Sequence, residues 1–252
     1  MVHFLRREET LDSGRLSDLA AEPHRAARLV LTAAAAGEVE AQAMLGQILL
    51  DGRGIAADPA LALIWFSIAA KRGHAMACNM AGRCHEHGWG TPANSARACW
   101  FYQRATEMGL DWGMYNLANL LATSRGVAQD ETAAYNLYHQ AAELGHAKSM
   151  NLTGRCLEEG RGVPRDVAKA HHWYQRSAEA GDFRGQFSHA AVLLAQQQWD
   201  AARLWLSHAL ELGHLKFLDT AFVSLRAAGL PEIADIVDAY DRRREELRSA
   251  QA

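Results

Sequence analysis

Two sets of side chains in this sequence have the types and the spacing for chemistry at a single centre. Cys84, His85 and His87, in the run GRCHEHGWG, are metal-capable donors within four residues of one another. A closed zinc site takes four ligands, and only two or three of these donors are near one another in the sequence. Cys84 also shares a repeating column with Ile48, Leu120 and Cys156, where an apolar residue recurs, so it reads as core. The histidines form the second set. His171 and His172 precede Trp173, and His74, His146 and His214 share a column at the start of a helical pattern. These read as packing and turn residues rather than as acids or bases. No phosphate loop, nucleophile elbow, catalytic carboxylate pair or dinucleotide fingerprint occurs. The expectation is no catalytic residue, no resident metal and no cofactor. The alternative is an accessory metal-binding or enzyme-associated protein using Cys84, His85 and His87.

The elements that position these residues follow from one spacing. Gly37, Gly73, Gly109, Gly145 and Gly181 stand 36 residues apart, so four consecutive repeats align on them without insertion or deletion. Within each repeat comes alanine (Ala62, Ala98, Ala134, Ala170), then a bulky pair (Trp65–Phe66, Phe101–Tyr102, Leu137–Tyr138, Trp173–Tyr174). A small residue follows, at Ala69, Ala105, Ala141 and Ser177. Small, bulky, small at steps of three and four is one face of a helix packed closely on a neighbour. The first half of each repeat has its own helical pattern, with small residues at Ala41, Ala77, Gly113 and Ser149. Five residues on stand Gly46, Gly82, Ala118 and Gly154. A helical glycine costs roughly 0.5–1 kcal/mol against alanine, and close approach of a large ring from the second helix offsets it. The loops between, DGRGIAAD, HGWGTPAN, SRGVAQD and EGRGVPRD, supply Gly52, Gly88 and Gly160 to end the first helix. Asp58, Asn94, Asp130 and Asp166 then cap the second.

With this pattern, A…LG..Y..G.GV..D..KA..WY..AA..G, the chain resembles the Sel1-like repeat family, a relative of the tetratricopeptide repeats. HAKSMNLTGRCLEEGRGVPRDVAKAHHWYQRSAEAG at 146–181 carries the likeness most fully. The resemblance implies an all-α, right-handed superhelical solenoid of antiparallel helix pairs, because no single repeat buries its apolar face alone. Residues 1–37 read as an N-terminal cap with a lone helix, and 38–213 as five repeats. The fifth is degenerate, its loop shortened by four residues with Trp205 and Gly213 in register. Residues 214–252 read as capping helices, since Phe217 and Phe222 fill the two small positions and close the slot to a further helix pair. Pro231 should open a charged terminal helix.

The resemblance also implies a scaffold that holds peptides or proteins in a groove lined by the first helix of each pair. Steps of 3, 6, 10 and 13 from each closing glycine share one face distinct from the packing positions. They give Met76, Asn79, Arg83 and Glu86, then Trp112, Tyr115, Asn119 and Ala122. The next repeat gives Lys148, Asn151, Arg155 and Glu158, and the fifth adds Arg184 and Phe187. Asparagine can bond an extended backbone, arginine can grip a carboxylate, and a tryptophan–tyrosine pair offers an amphipathic anchor. The expected partner contacts are therefore Asn79, Arg83, Trp112, Tyr115, Asn119, Asn151 and Arg155. The expected partner is an acidic protein or peptide segment. The bland alternative pairs Arg83 with Glu86 and Arg155 with Glu158 on a solvated face, worth a few tenths of a kcal/mol each.

Composition bounds the rest. With 26 Lys and Arg against 29 Asp and Glu, the net charge is −3, so no global field draws the chain to nucleic acid or an anionic membrane. Neither partner is expected, nor a small-molecule substrate. The start MVHFLRREETLDS places charges where a secretory peptide needs an apolar core. The four cysteines are too few and too unevenly spaced for a disulfide framework. Both features lead to the expectation of a cytoplasmic protein with reduced thiols.

Overall fold

The computed structural model describes residues 22–250; the reading of the first thirteen residues lies outside them. The described residues form thirteen α-helices, one short 3-10 turn and no strand. The helices are α1 (Pro23–Ala35), α2 (Val39–Asp51), α3 (Pro59–Lys71), α4 (Ala75–His87), α5 (Ser95–Glu107), α6 (Asp111–Thr123) and α7 (Glu131–Glu143). There follow α8 (Ala147–Glu159), α9 (Val167–Glu179), α10 (Phe183–Ala195), α11 (Trp199–Leu212), α12 (Leu215–Ala228) and α13 (Ala234–Ser249). Among the described residues no helix is long and apolar enough to cross a membrane.

The chain divides into two compact units, one ending at Gln129 and one beginning at Asp130. The division falls in SRGVAQD, the one loop of the four without the first glycine; Ser124 holds the left-handed conformation there, at φ 51°. In the N-terminal unit α1 to α6 pack in succession, and α4 also touches α6. In the C-terminal unit α7 to α11 pack in the same succession, α8 touches α10, and α13 packs on α11 and α12.

The local signals act as their chemistry requires. Asp58, Asn94, Asp130 and Asp166 each accept the backbone N–H three residues on, at 2.9–3.0 Å. The histidine column does the same for first helices. The Nδ1 atoms of His74, His146 and His214 accept from Ala77, Ser149 and Phe217, and the carboxylate of Asp182 accepts from Gly185. Gly52, Gly88 and Gly160 end α2, α4 and α8 in the left-handed region.

The small column faces the bulky one as expected. A Cβ at Gly82 would lie 2.6 Å from the ring of Tyr102, and one at Gly46 would lie 2.7 Å from Phe66. Phe66 and Tyr102 have no exposed surface. Burying a ring such as Phe66 contributes roughly 1.5–3 kcal/mol, more than the glycine beneath it costs.

One detail differs from the sequence reading. Pro231 opens the 3-10 turn Pro231–Ile233, and α13 begins after it at Ala234. Beyond the fifth repeat α12 packs on α13, and Arg244 covers the buried ring of Phe222 with its guanidinium carbon 4.0 Å from the ring centre. Tyr240 of α13 is fully buried and donates its hydroxyl to the carbonyl of Leu206 at 2.8 Å, closing that end.

Candidate functional site

The stripe predicted on the first helices divides by burial. In the N-terminal unit, Arg83, Trp112, Tyr115 and Asn119 are half-buried on α4 and α6. Trp112 and Tyr115 meet edge to face at 5.9 Å. Asn79 is instead buried at 3% exposure, with its Oδ1 accepting from Asn116 Nδ2 of α6 at 2.8 Å. Arg83 does not pair with Glu86. Its guanidinium lies 5.1 Å over the ring of Trp89, a contact in which cation and ring quadrupole attract. Glu86 is taken from two sides, by the Tyr102 hydroxyl at 2.6 Å and the Arg125 guanidinium at 3.1 Å. Burial and that carboxylate together hold the Tyr102 hydroxyl protonated far above the ordinary tyrosine range.

The C-terminal unit repeats the scheme with changes. Asn151 is buried at 4% exposure, and its Oδ1 accepts from Ser188 at 2.9 Å. Arg155 is exposed and bonds Glu159 at 3.4 Å rather than Glu158. Glu158 accepts the Tyr174 hydroxyl at 2.6 Å. Asn79 and Asn151 are thus rungs between first helices of successive repeats, because α4 packs on α6 and α8 on α10 and covers them. Their carbonyl oxygens are bonded within the fold.

Sequence reasoning missed Asn116, Ser188 and Trp89. The first two stand 37 residues after Asn79 and Asn151, a polar residue in one column answering a polar residue in the adjacent column of the next repeat. Trp89 stands in a loop column otherwise occupied by Arg53, Arg125 and Arg161, and that departure from pattern is its signal.

The metal-capable cluster is dispersed. Cys84 is fully buried, and burial pushes its thiol up to about 11, so it is not a thiolate at neutral pH. His85 stacks on Phe101 at 5.4 Å, its pKa lowered by burial and secondarily by Arg97. His87 turns to Trp89 at 4.8 Å. Among the described residues no three His, Cys, Asp or Glu side chains are grouped to hold a metal ion. His171 and His172 border an open hollow of about 470 Å³ with Gln175 and His189. The four cysteines are free, three of them buried.

Comparison with known proteins bears on this geometry. The family model described as Sel1 repeat matches residues 39–74, 75–110, 113–146 and 147–182. Among solved structures, a Sel1 repeat protein from Oxalobacter formigenes is 28% identical over 74% of this chain and 76% of its own, with a TM-score of 0.68. The protein c5321, a protective antigen of uropathogenic Escherichia coli strains displaying an SLR fold, is 25% identical with a TM-score of 0.70. That match covers 89% of this chain and 49% of c5321, so the chain spans about half of that protein's length. The immunity protein Pa5087 from Pseudomonas aeruginosa, 13% identical over 84% of this chain and 80% of its own with a TM-score of 0.55, shares the fold alone. A comparison with curated proteins finds no match. Four tandem matches over more than half of the chain, each covering two successive helices, show that it belongs to the Sel1 repeat family.

Proposed function

We propose that this chain is a non-catalytic protein-interaction scaffold that holds an acidic segment of a protein partner on the faces of its first helices. The proposed location is the cytoplasm. The Sel1 repeat fold is generally a protein–protein interaction scaffold. The observation that carries the reading here is the set of half-buried and exposed side chains that the first helices carry. In the N-terminal unit this is Arg83 of α4, laid on Trp89, together with the edge-to-face pair of Trp112 and Tyr115 and Asn119 on α6. In the C-terminal unit it is the exposed Arg155. Asn79 and Asn151 serve this surface as bracing between repeats. Arg155 loses little by leaving Glu159, since exposed ion pairs of this kind contribute ~0.5 kcal/mol.

A second reading has its own support. Ile64 and Trp100 are 54% and 55% exposed, one repeat apart on second helices, and exposed apolar residues in register mark contact surfaces. Affinity capture with a tagged chain separates the two. The R83E/R155E double variant should lose the partner that the native chain captures while its melting curve stays within about 0.5 kcal/mol, as surface changes do. Retention of the partner by that variant, with loss on I64K/W100A, would place binding on the second helices instead.

A further inference from the structure

We infer that the C-terminal unit carries a second set of contacts, a cationic and aromatic row formed by Lys148, Arg184 and Lys216 with Phe183, Phe187 and Phe217. The row fits a peptide that interleaves carboxylates with aromatic or aliphatic side chains. The inference rests on the scaffold reading, yet uses neither Arg83 nor Arg155.

The row begins in the sequence register. Lys148, Arg184 and Lys216 each stand three residues after a closing glycine, on α8, α10 and α12. Three successive repeats therefore present one cation apiece at the same position of the first helix, where the helix N-terminus adds positive potential. In the N-terminal unit the same column reads Glu40, Met76 and Trp112. The difference reaches the capping histidines: His74 faces the Glu40 carboxylate at 3.1 Å, whereas His214 faces the Arg184 guanidinium at 3.2 Å.

The three cations share one field. Burial first, and then Arg184, Lys216 and Lys148 together, lower the pKa of His214. Arg184 and Lys148 also act on the carboxylate of Asp182. That carboxylate is 5% exposed and engaged in capping α10. Asp219, on α12 beyond Lys216, is held by Arg244 and Arg248.

Beside the cations lies apolar surface. The rings of Phe183 and Phe187 meet Phe217 at 4.7 and 5.7 Å, and all three are half-buried. Arg184 lies 4.5 Å over Phe183, so cation and ring form one continuous face. Such a face favours a ligand offering both carboxylate and hydrocarbon. Nucleic acid is the poorer fit: binding of that kind rests on roughly 6–10 phosphate contacts, against one cation per repeat here.

The test is fluorescence anisotropy with the full chain and a fluorescein-labelled peptide of repeated Glu-Glu-Phe. Two controls replace Glu by Gln or Phe by Ala. Both controls should bind more weakly than the parent. K148E/R184E/K216E should weaken the parent by about tenfold or more, as charge reversal at a complementary surface does. K148Q/R184Q/K216Q should weaken it in the same direction, and its melting curve shows that the fold is retained. R83E/R155E should change this affinity by less than about twofold. The inference is overturned if the parent peptide does not bind, if the Gln control binds equally, or if the triple variants bind like the native chain. A single-stranded oligonucleotide that binds more tightly and displaces the peptide would also overturn it. Loss of the peptide on R83E/R155E with retention on the triple variants would remove this row and leave the scaffold reading standing.

Discussion

At position 154 the spacing between helices is decided by a single hydrogen atom. A Cβ there would sit 2.6 Å from Cε1 of Tyr174 and 3.1 Å from the carbonyl oxygen of Ala170, so neither ring nor backbone has room. Gly154→Leu should cost about 1–3 kcal/mol or more through overpacking, read as a lower midpoint in thermal or urea unfolding. An unchanged midpoint would mean that α8 and α9 are farther apart than described. The Tyr174 ring that fills this slot also hands its hydroxyl to Glu158. The glycine column was readable from spacing alone. The pairing of Glu86 and Glu158 with tyrosines was not, although it has a trace in sequence: where the later residue is Phe66, the earlier one is Leu50.

Single helices depend on their caps, and α10 has an unusual one. Asp182 caps it from a buried position, where burial raises its pKa against the opposing pull of Arg184 and Lys148. A raised carboxylate pKa means that the folded state binds the proton more readily than the unfolded chain. The charge therefore works against folding above the carboxylate range, and the penalty shrinks as pH falls. Asparagine caps as well as aspartate without the charge. Asp182→Asn should therefore melt at or above the native temperature at pH 7, with the gain shrinking toward acid pH. Asp182→Ala loses the cap and should cost about 1 kcal/mol. A destabilised Asn variant would show that the neighbouring cations need the carboxylate more than burial opposes it.

Across the whole molecule the buried and capping histidines set the response to acid. His85, His189 and His214 each have pKa values lowered first by burial, with Arg97, His171 and Arg184 respectively adding to the effect. A depressed histidine pKa contributes stability that is present above the ordinary value of about 6.5 and is lost as pH falls through the folded value. Asp182 works in the opposite direction. The melting temperature should fall between about pH 7.5 and 5, with three histidines acting together against one carboxylate. Calorimetry across that range checks it; a flat or rising curve would mean that these imidazoles are protonated in the folded state.

The sequence alone determined what is local and periodic: the 36-residue repeat, the helix pair, the glycine slots beneath the rings, and the Asp and Asn caps. Each follows from bonds within a few residues or from a face that recurs every 3.6 residues. Only the tertiary structure decided which part of the remaining face is open. A first helix packs on the second helix of its own repeat, on the second helix of the repeat before, and on the first helix of the repeat after. Period marks the face that the second helices cover. What the next first helix covers depends on the step and turn between repeats, which no single helix contains. Asn79 and Asn151 were therefore expected on the surface and lie bonded to Asn116 and Ser188, 37 residues on. For the same reason Phe183 and Phe217, 34 residues apart, meet as one aromatic face.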